Sequence, residues 1–298
     1  MRSAGARRAH MTGMTTVREH YDGLLAEHYS RMFGDFEAKT AEQRALLERL
    51  GVTAASPGAV AVDLGCGSGF QSVALARLGY RVLAVDFSRR LLDELTARAR
   101  GLAVEAVAGD IRDVARLAPQ GIAISVCMGD TLSHLERAAD LDRVFQGVAS
   151  RLVPGGRLVL SFRDLSGELR DLDRAIPVGA WDDLVMTCFL EYEAASVKVH
   201  DLVWVRQPEG WRLRKGMYRK LRLAPARVAE RMTAAGFAVE RHEAPAGLVA
   251  LVGVLAARGP AHQRAHGRMS SGRGKAAGGA KTARYPSAGA RSKKSTSR

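Results

Sequence analysis

A doubly wound α/β fold built on a seven-stranded sheet is predicted by three features of this 298-residue chain. Short apolar runs alternate with amphipathic stretches from residue 59 to residue 162, the pattern of strand-helix-strand units in a parallel sheet. The first run breaks into Leu64-Gly65-Cys66-Gly67-Ser68-Gly69, a glycine-rich turn that lets backbone approach a ligand before a helix opens at Phe70. Acids and small residues then recur where successive strands end, and ligands of such sheets bind outside those ends.

Residues 1–13 are basic and rich in small residues and are expected to be disordered, with Met11 and Met14 as alternative starts. From Val17 the period is helical. Tyr21, Leu24, Leu25, His28, Tyr29 and Met32 share one face, and a second helix over residues 40–50 stops at Gly51. An aromatic face of this kind is either core or a helical lid over a ligand, and the spacing leaves both open. Strand one covers residues 59–64, with a helix over 70–78. Strand two covers 81–85 and delivers Asp86, with Ser88 capping a helix that reaches Arg100. Strand three is 103–108, strand four 122–127 with a helix from about 135 to 152, and Pro154-Gly155-Gly156 turns the chain into strand five, 157–162. The period then changes. Segments 184–192, 196–206 and 211–223 predict an antiparallel insertion over about 183–223, the expected seat of substrate selectivity. Pro225 opens a helix that Gly236 ends, and strands at 237–243 and 248–256 complete the sheet. Residues 259–298 lack apolar period and are expected to form a disordered basic tail, leaving one domain over 14–258.

Of the net charge of +14, ten lysines and arginines without an acid lie in residues 259–298, and three arginines lie in residues 1–13. The body between is close to neutral, which excludes a broadly basic nucleic-acid-binding fold and confines nonspecific nucleic-acid contact to the tail. Cys66, Cys127 and Cys188 are too few and too far apart for a disulfide framework or a metal site, which suits a reducing, cytoplasmic setting. The longest apolar run, 247–257, is well short of the ~20 residues of a membrane helix, and the first residues lack a signal peptide's apolar centre. No membrane partner is expected.

Asp63 directly precedes the glycine turn. An acid before a G-x-G-x-G turn repels phosphate and welcomes a cation, unlike the dinucleotide fingerprint, whose helix N-terminus faces a pyrophosphate. Asp86 lies 17 residues past Gly69, near the offset at which an acid in such sheets accepts from ribose hydroxyls. Gly109-Asp110-Ile111 ends strand three, Met128-Gly129-Asp130-Thr131 follows strand four, and Arg163 follows strand five.

These motifs resemble the Rossmann-like, class I S-adenosylmethionine (AdoMet) methyltransferases. The runs from Cys127 to Leu135 and from Ser161 to Asp164 are most similar to glycine and sarcosine N-methyltransferases and related small-molecule enzymes. The resemblance covers about residues 17–257 and implies AdoMet as cofactor, without a metal. It implies that Asp63 supports the ammonium of the methionine part while Gly65, Cys66, Gly67 and Gly69 let backbone pass beside it. It places Asp86 on the ribose, Phe87 on the adenine, Asp110 and Ile111 around the adenine amine and ring, Lys39 near the cofactor carboxylate, and Tyr29 and Met128 along the same pocket. For the methyl acceptor it implies a carboxylate held bidentately by Arg163, with Asp130, His134 and Tyr218 alongside. Asp130 stands where the family pattern has an amide, and the acid is expected to favour a cationic or amine acceptor. His134 either takes a proton from a hydroxyl acceptor or hydrogen-bonds within its turn.

The expected function is methyl transfer from AdoMet to a small-molecule acceptor, an amine or amino-acid-like nitrogen. The alternatives are an O-methyltransferase of secondary metabolism, an RNA- or DNA-associated methyltransferase using the tail, and a noncatalytic AdoMet-binding scaffold. The second is disfavoured because strand four is followed by neither proline nor an aromatic ring to stack a base. The third is disfavoured because three strand tips keep their ligand groups.

Overall fold

The structure is a computed structural model in which residues 16–256 are described; the segments expected to be disordered, 1–13 and 259–298, lie outside them. Five strands, β1 (Val60–Leu64), β2 (Arg81–Asp86), β3 (Val104–Ala108), β4 (Ile122–Cys127) and β5 (Leu152–Arg163), run parallel. The last two, β10 (Phe237–Ala244) and β11 (Leu248–Leu255), form a hairpin whose β11 runs antiparallel to β5. The order β10-β11-β5-β4-β1-β2-β3 reverses between β1 and β4, and that switch point sets the cleft at their carboxyl ends.

Alternation along each strand sends side chains into two separate layers. From β1, Val62 and Leu64 join a core with α5 (Val114–Leu117), α6 (Ala138–Ala149) and α7 (Pro225–Ala234), where Phe145 and Met232 are fully buried. Ala61 faces the opposite layer, formed by α2 (Phe36–Arg49), α3 (Phe70–Arg77) and α4 (Arg89–Arg98) through Leu47, Val73, Leu75 and Leu95. Each fully buried leucine or phenylalanine contributes roughly 1.5–3 kcal/mol, whereas exposed ion pairs such as Arg44–Glu48 contribute about 0–1 kcal/mol. The two apolar layers, not the charged surface, hold the sheet.

Four elements depart from the sequence expectation, one of them β5, which begins at Leu152 and so contains the Pro154-Gly155-Gly156 turn expected to precede it. The aromatic segment is not one helix: a short α1 (Val17–His20), capped by Thr16 and Glu19, widens into a π-helical turn, Tyr21–Leu25, and a 3₁₀ turn, Tyr29–Phe33. Gly23 and Gly34 interrupt it, Gly34 at φ 75°, and Asp35 then caps α2 four residues ahead of the expected start. The helix expected from residue 135 begins later, at Ala138 of α6, because Thr131–His134 forms a 3₁₀ turn instead. The insertion holds four strands rather than three: β6 (Ala175–Trp181), β7 (Leu184–Tyr192), β8 (Ser196–Gln207) and β9 (Gly210–Leu221). Pro177 and Gly179 hid β6 in the sequence, and a register shift between them shows why an edge strand tolerates both. The inner face of this sheet packs Met186, Val199, Val203 and Tyr218 against Leu24 and Leu25 of the N-terminal segment.

No helix among the described residues is long and apolar enough to cross a membrane.

Candidate active site

The glycine turn is pinned to β2 by Gly65 and Cys66, whose N–H groups both donate to the Val85 carbonyl. Gly65 (φ 72°) and Gly67 (φ 52°) hold conformations that side chains rarely adopt. A Cβ on Gly65 would collide with the Thr131 side chain, and one on Gly67 would lie 3.0 Å from the Tyr29 hydroxyl. Gly65→Ala is therefore expected to lose about 1–3 kcal/mol of stability in chemical denaturation. Adding Thr131→Ala should return part of it, because the steric share is relieved and the backbone strain is not. No recovery in the double variant would show that Thr131 is not what confines the turn.

Asp86 ties two tips together. Its Oδ2 accepts the Gly67 N–H at 2.9 Å and its Oδ1 the Ser88 N–H at 2.8 Å. Ser88 occupies the N-cap position of α4 but makes no side-chain cap, contrary to expectation; its hydroxyl points to Asp22 at 3.5 Å. Asp86 thus holds the Ser88 amide, while the serine hydroxyl caps none of the α4 amides. Asp63, 1% exposed, accepts from the Ser72 hydroxyl at 2.6 Å. Burial pushes its carboxyl up to about 7, against the opposing pull of Ser72 and with a smaller push from Asp86. Burial likewise raises Asp86, against the amides that hold it. Two buried acids answered by a hydroxyl and amides form a pocket that disfavours phosphate and suits a cation.

Asp110 sits at the third tip, where its carboxylate accepts from Arg112 along Nε and Nη2 (3.0 and 2.7 Å) and caps a 3₁₀ turn, Ile111–Asp113. Burial would raise it, but Arg112 outweighs burial and holds it low. Ile111 and Met128 are buried beside their tips, and Cys66 is buried with its thiol pushed up by desolvation, so it serves as backbone and packing. Lys39 projects from α2, bonds Glu42 at 2.8 Å and lies 6.0 Å from the Phe33 ring.

The N-terminal segment closes over these tips with one ring at its centre. Tyr21 lies 6.2 Å from Tyr29, 5.9 Å edge-on to Phe87, 5.5 Å from His134 and 6.4 Å from Tyr218, centroid to centroid. It thus links the glycine-turn side to a second polar cluster. There the Nε2 of His134 is buried without a hydrogen-bond partner among the described residues. Burial and then Lys220 depress this imidazole to about 3. Asp130 bonds Lys220 Nζ at 2.8 Å, accepts the Arg163 N–H at 3.2 Å and lies 3.7 Å from Arg163 Nε. Burial works against its ionisation, yet Lys220 overcomes it and holds the carboxyl well below its ordinary range. The charge that was expected to attract a cationic acceptor is therefore answered from within the protein. Behind Tyr218, His20 stacks on the phenol ring at 4.5 Å and bonds buried Asp201 at 2.7 Å.

Ser72, Thr131, Lys220 and the His20–Asp201 pair stand in the site without a role expected from sequence. For Lys220 a signal existed, since it stands two residues from Tyr218 on one strand and shares its inward face. Partners such as Ser72 and Asp201 carry no spacing signal and emerge only in three dimensions.

Residues 61–156 match the family described as a methyltransferase domain. Among curated relatives, the cypemycin N-terminal methyltransferase of Streptomyces sp is 36% identical over 107 residues, covering 36% of this chain and 43% of that protein. The ubiquinone biosynthesis O-methyltransferase of Xanthomonas campestris is 33% identical over 117 residues, 39% and 47% of the two chains. Glycine N-methyltransferase of Mus musculus is 26% identical over 159 residues, 49% and 54% of the two chains. The chain spans about half the length of the curated relatives it matches. In fold it is similar to Streptomyces venezuelae DesVI, with a TM-score of 0.64 at 21% identity over 80% of this chain and 98% of that one.

Proposed function

We propose that this chain, whose residues 61–156 belong to the methyltransferase-domain family on a class I Rossmann-like fold, transfers a methyl group from AdoMet to a nitrogen of a small molecule. The pocket fits the cofactor. A turn whose Gly65 and Gly67 carry no Cβ and two buried acids that bond no cation among the described residues suit a nucleoside that carries positive charge. In this reading Asp86 offers lone pairs to ribose hydroxyls, Asp63 answers an ammonium, and Phe87, Ile111 and the Arg112-bonded Asp110 take the adenine. When bound, AdoMet supplies an electrophilic methyl on a sulfonium.

The observation that carries the choice of nitrogen is the buried, unpartnered Nε2 of His134, one ring away from Phe87. An imidazole depressed to about 3 is neutral at working pH and a weak base. It accepts a hydrogen bond and orients an acceptor, but it is ill suited to take a proton. Its neighbours supply no base either: Asp130 is ion-paired and held low, and desolvation raises Tyr21 and Tyr218, which stay protonated. A neutral amine attacks without a base, whereas a hydroxyl needs one, so this environment favours nitrogen. Alignment of acceptor and methyl carries the rate, and such positioning accounts for about 7–11 kcal/mol of barrier lowering.

Labelled AdoMet offered with arylamines, amino acids and phenols of matched shape tests this reading. Transfer to amines is expected, with a rate that follows the unprotonated fraction of the amine, and phenols are expected to lag by at least about 100-fold. Preferential phenol methylation would transfer the assignment to oxygen, and no saturable AdoMet binding by calorimetry would leave only a scaffold. Arg163→Ala should raise KM for carboxylate-bearing amines about 10–100-fold and spare amines without one; an unchanged KM would remove the anchor role.

A further inference from the structure

Lys220 reaches from β9 of the insertion to the loop after β4, and its ammonium is nearly buried, its side chain 15% exposed beside an Asp130 that is 19% exposed. Arg163 approaches the same carboxylate through its backbone N–H and Nε while its side chain remains half-exposed. Two cations therefore share one acid at the place where His134 presents its unpartnered nitrogen. The other nearby acid, Asp201, is bonded by His20, which stacks on the Tyr218 ring. An ammonium brought here would meet like charge and would find Asp130 already engaged; a carboxylate would meet the Arg163 guanidinium.

We propose that Lys220 is a specificity-determining residue that sets the charge of the acceptor: by engaging Asp130 it makes the site take neutral amines bearing an anionic group and reject cationic ones. This rests on the reading of the His134 cluster as the acceptor site. It also inverts what the acid at position 130 suggests by itself, because selectivity follows the pair and not the acid. Lys220 acts as more than a strut between the insertion and β4, since a strut would affect stability without changing the sign of the charge preferred.

Benzoate and benzylamine have matched shape and opposite charge at pH 7, and their ring suits walls made by Tyr21 and Tyr218. Calorimetric titration of the full chain loaded with S-adenosylhomocysteine is expected to show benzoate binding at least about 10-fold more tightly than benzylamine. Lys220→Met should reverse the order, and Lys220→Arg should keep it. Asp130→Asn, which leaves no unpaired acid and serves if the methionine variant fails to fold, should widen the preference for benzoate several-fold. An unchanged ratio in a folded Lys220→Met or Asp130→Asn protein, or binding of neither probe by the loaded wild type, would overturn the role of Lys220 alone. Failure to bind S-adenosylhomocysteine would overturn the methyltransferase reading beneath it.

Discussion

Asp86→Ala is expected to lower AdoMet affinity by about 100-fold while leaving the fold intact. Two effects add in the affinity. In the proposed reading the ribose loses its acceptor, and the buried N–H groups of Gly67 and Ser88 lose the partner that holds the turn in shape. Each amide left without a partner costs about 1–3 kcal/mol, and 1.4 kcal/mol is tenfold in affinity. In stability the same losses are offset in part. Burial raises the Asp86 carboxyl, so its ionised form opposes folding above the ordinary carboxylate range, and alanine relieves that cost. Calorimetry with denaturation on the same preparation separates the two, and wild-type affinity in the variant would remove Asp86 from the cofactor site.

What was legible in the sequence was whatever carries a period or a turn. The parallel strands and the glycine turn were readable because apolar alternation and glycine report on backbone alone. Asp63, Asp86 and Asp110 were located because each stands within two residues of a strand's carboxyl end, which fixes where its side chain emerges. What those acids touch was not readable. Asp110 is held by Arg112, two residues on, and Ser88, expected to cap α4 with its hydroxyl, makes no cap while its own amide is held by Asp86. Both are competitions among local donors that differ little in sequence. The N-terminal face was read as one helix because Tyr21, Leu24, Leu25 and His28 keep helical spacing; a π-helical turn preserves that spacing closely enough to hide itself while turning Tyr21 into the cleft. Asp130 is the instructive case. Its residue type pointed to a cationic acceptor, and a lysine 90 positions away reversed the meaning of that charge.

The largest effect of pH is expected at Asp63. In the free protein burial holds this carboxyl near 7, so below neutrality it is increasingly protonated and offers no charge to an ammonium. Binding a cation favours the ionised form, lowers that pKa and releases a proton, so affinity must rise with pH across the window between the bound and free values. With a free value of about 7, AdoMet affinity is expected to fall about 15-fold from pH 7 to pH 5.5. Calorimetry in buffers of different ionisation enthalpy should register proton release that fades above pH 7.5. Asp63→Asn should flatten this dependence and weaken binding at pH 7.5 by about 10–100-fold. For folding the sign is opposite: a carboxyl raised in the native state favours folding below its unfolded value near 4, and this advantage is lost as pH rises through 7. The asparagine variant, still able to accept from Ser72, should therefore be more stable than wild type at pH 8 by about 2 kcal/mol. Stability gained and affinity lost through one atom's charge would mark Asp63 as a group retained for its ligand. Affinity that stays level from pH 5.5 to 7.5 in the wild type would show that no buried acid meets the cofactor's cation.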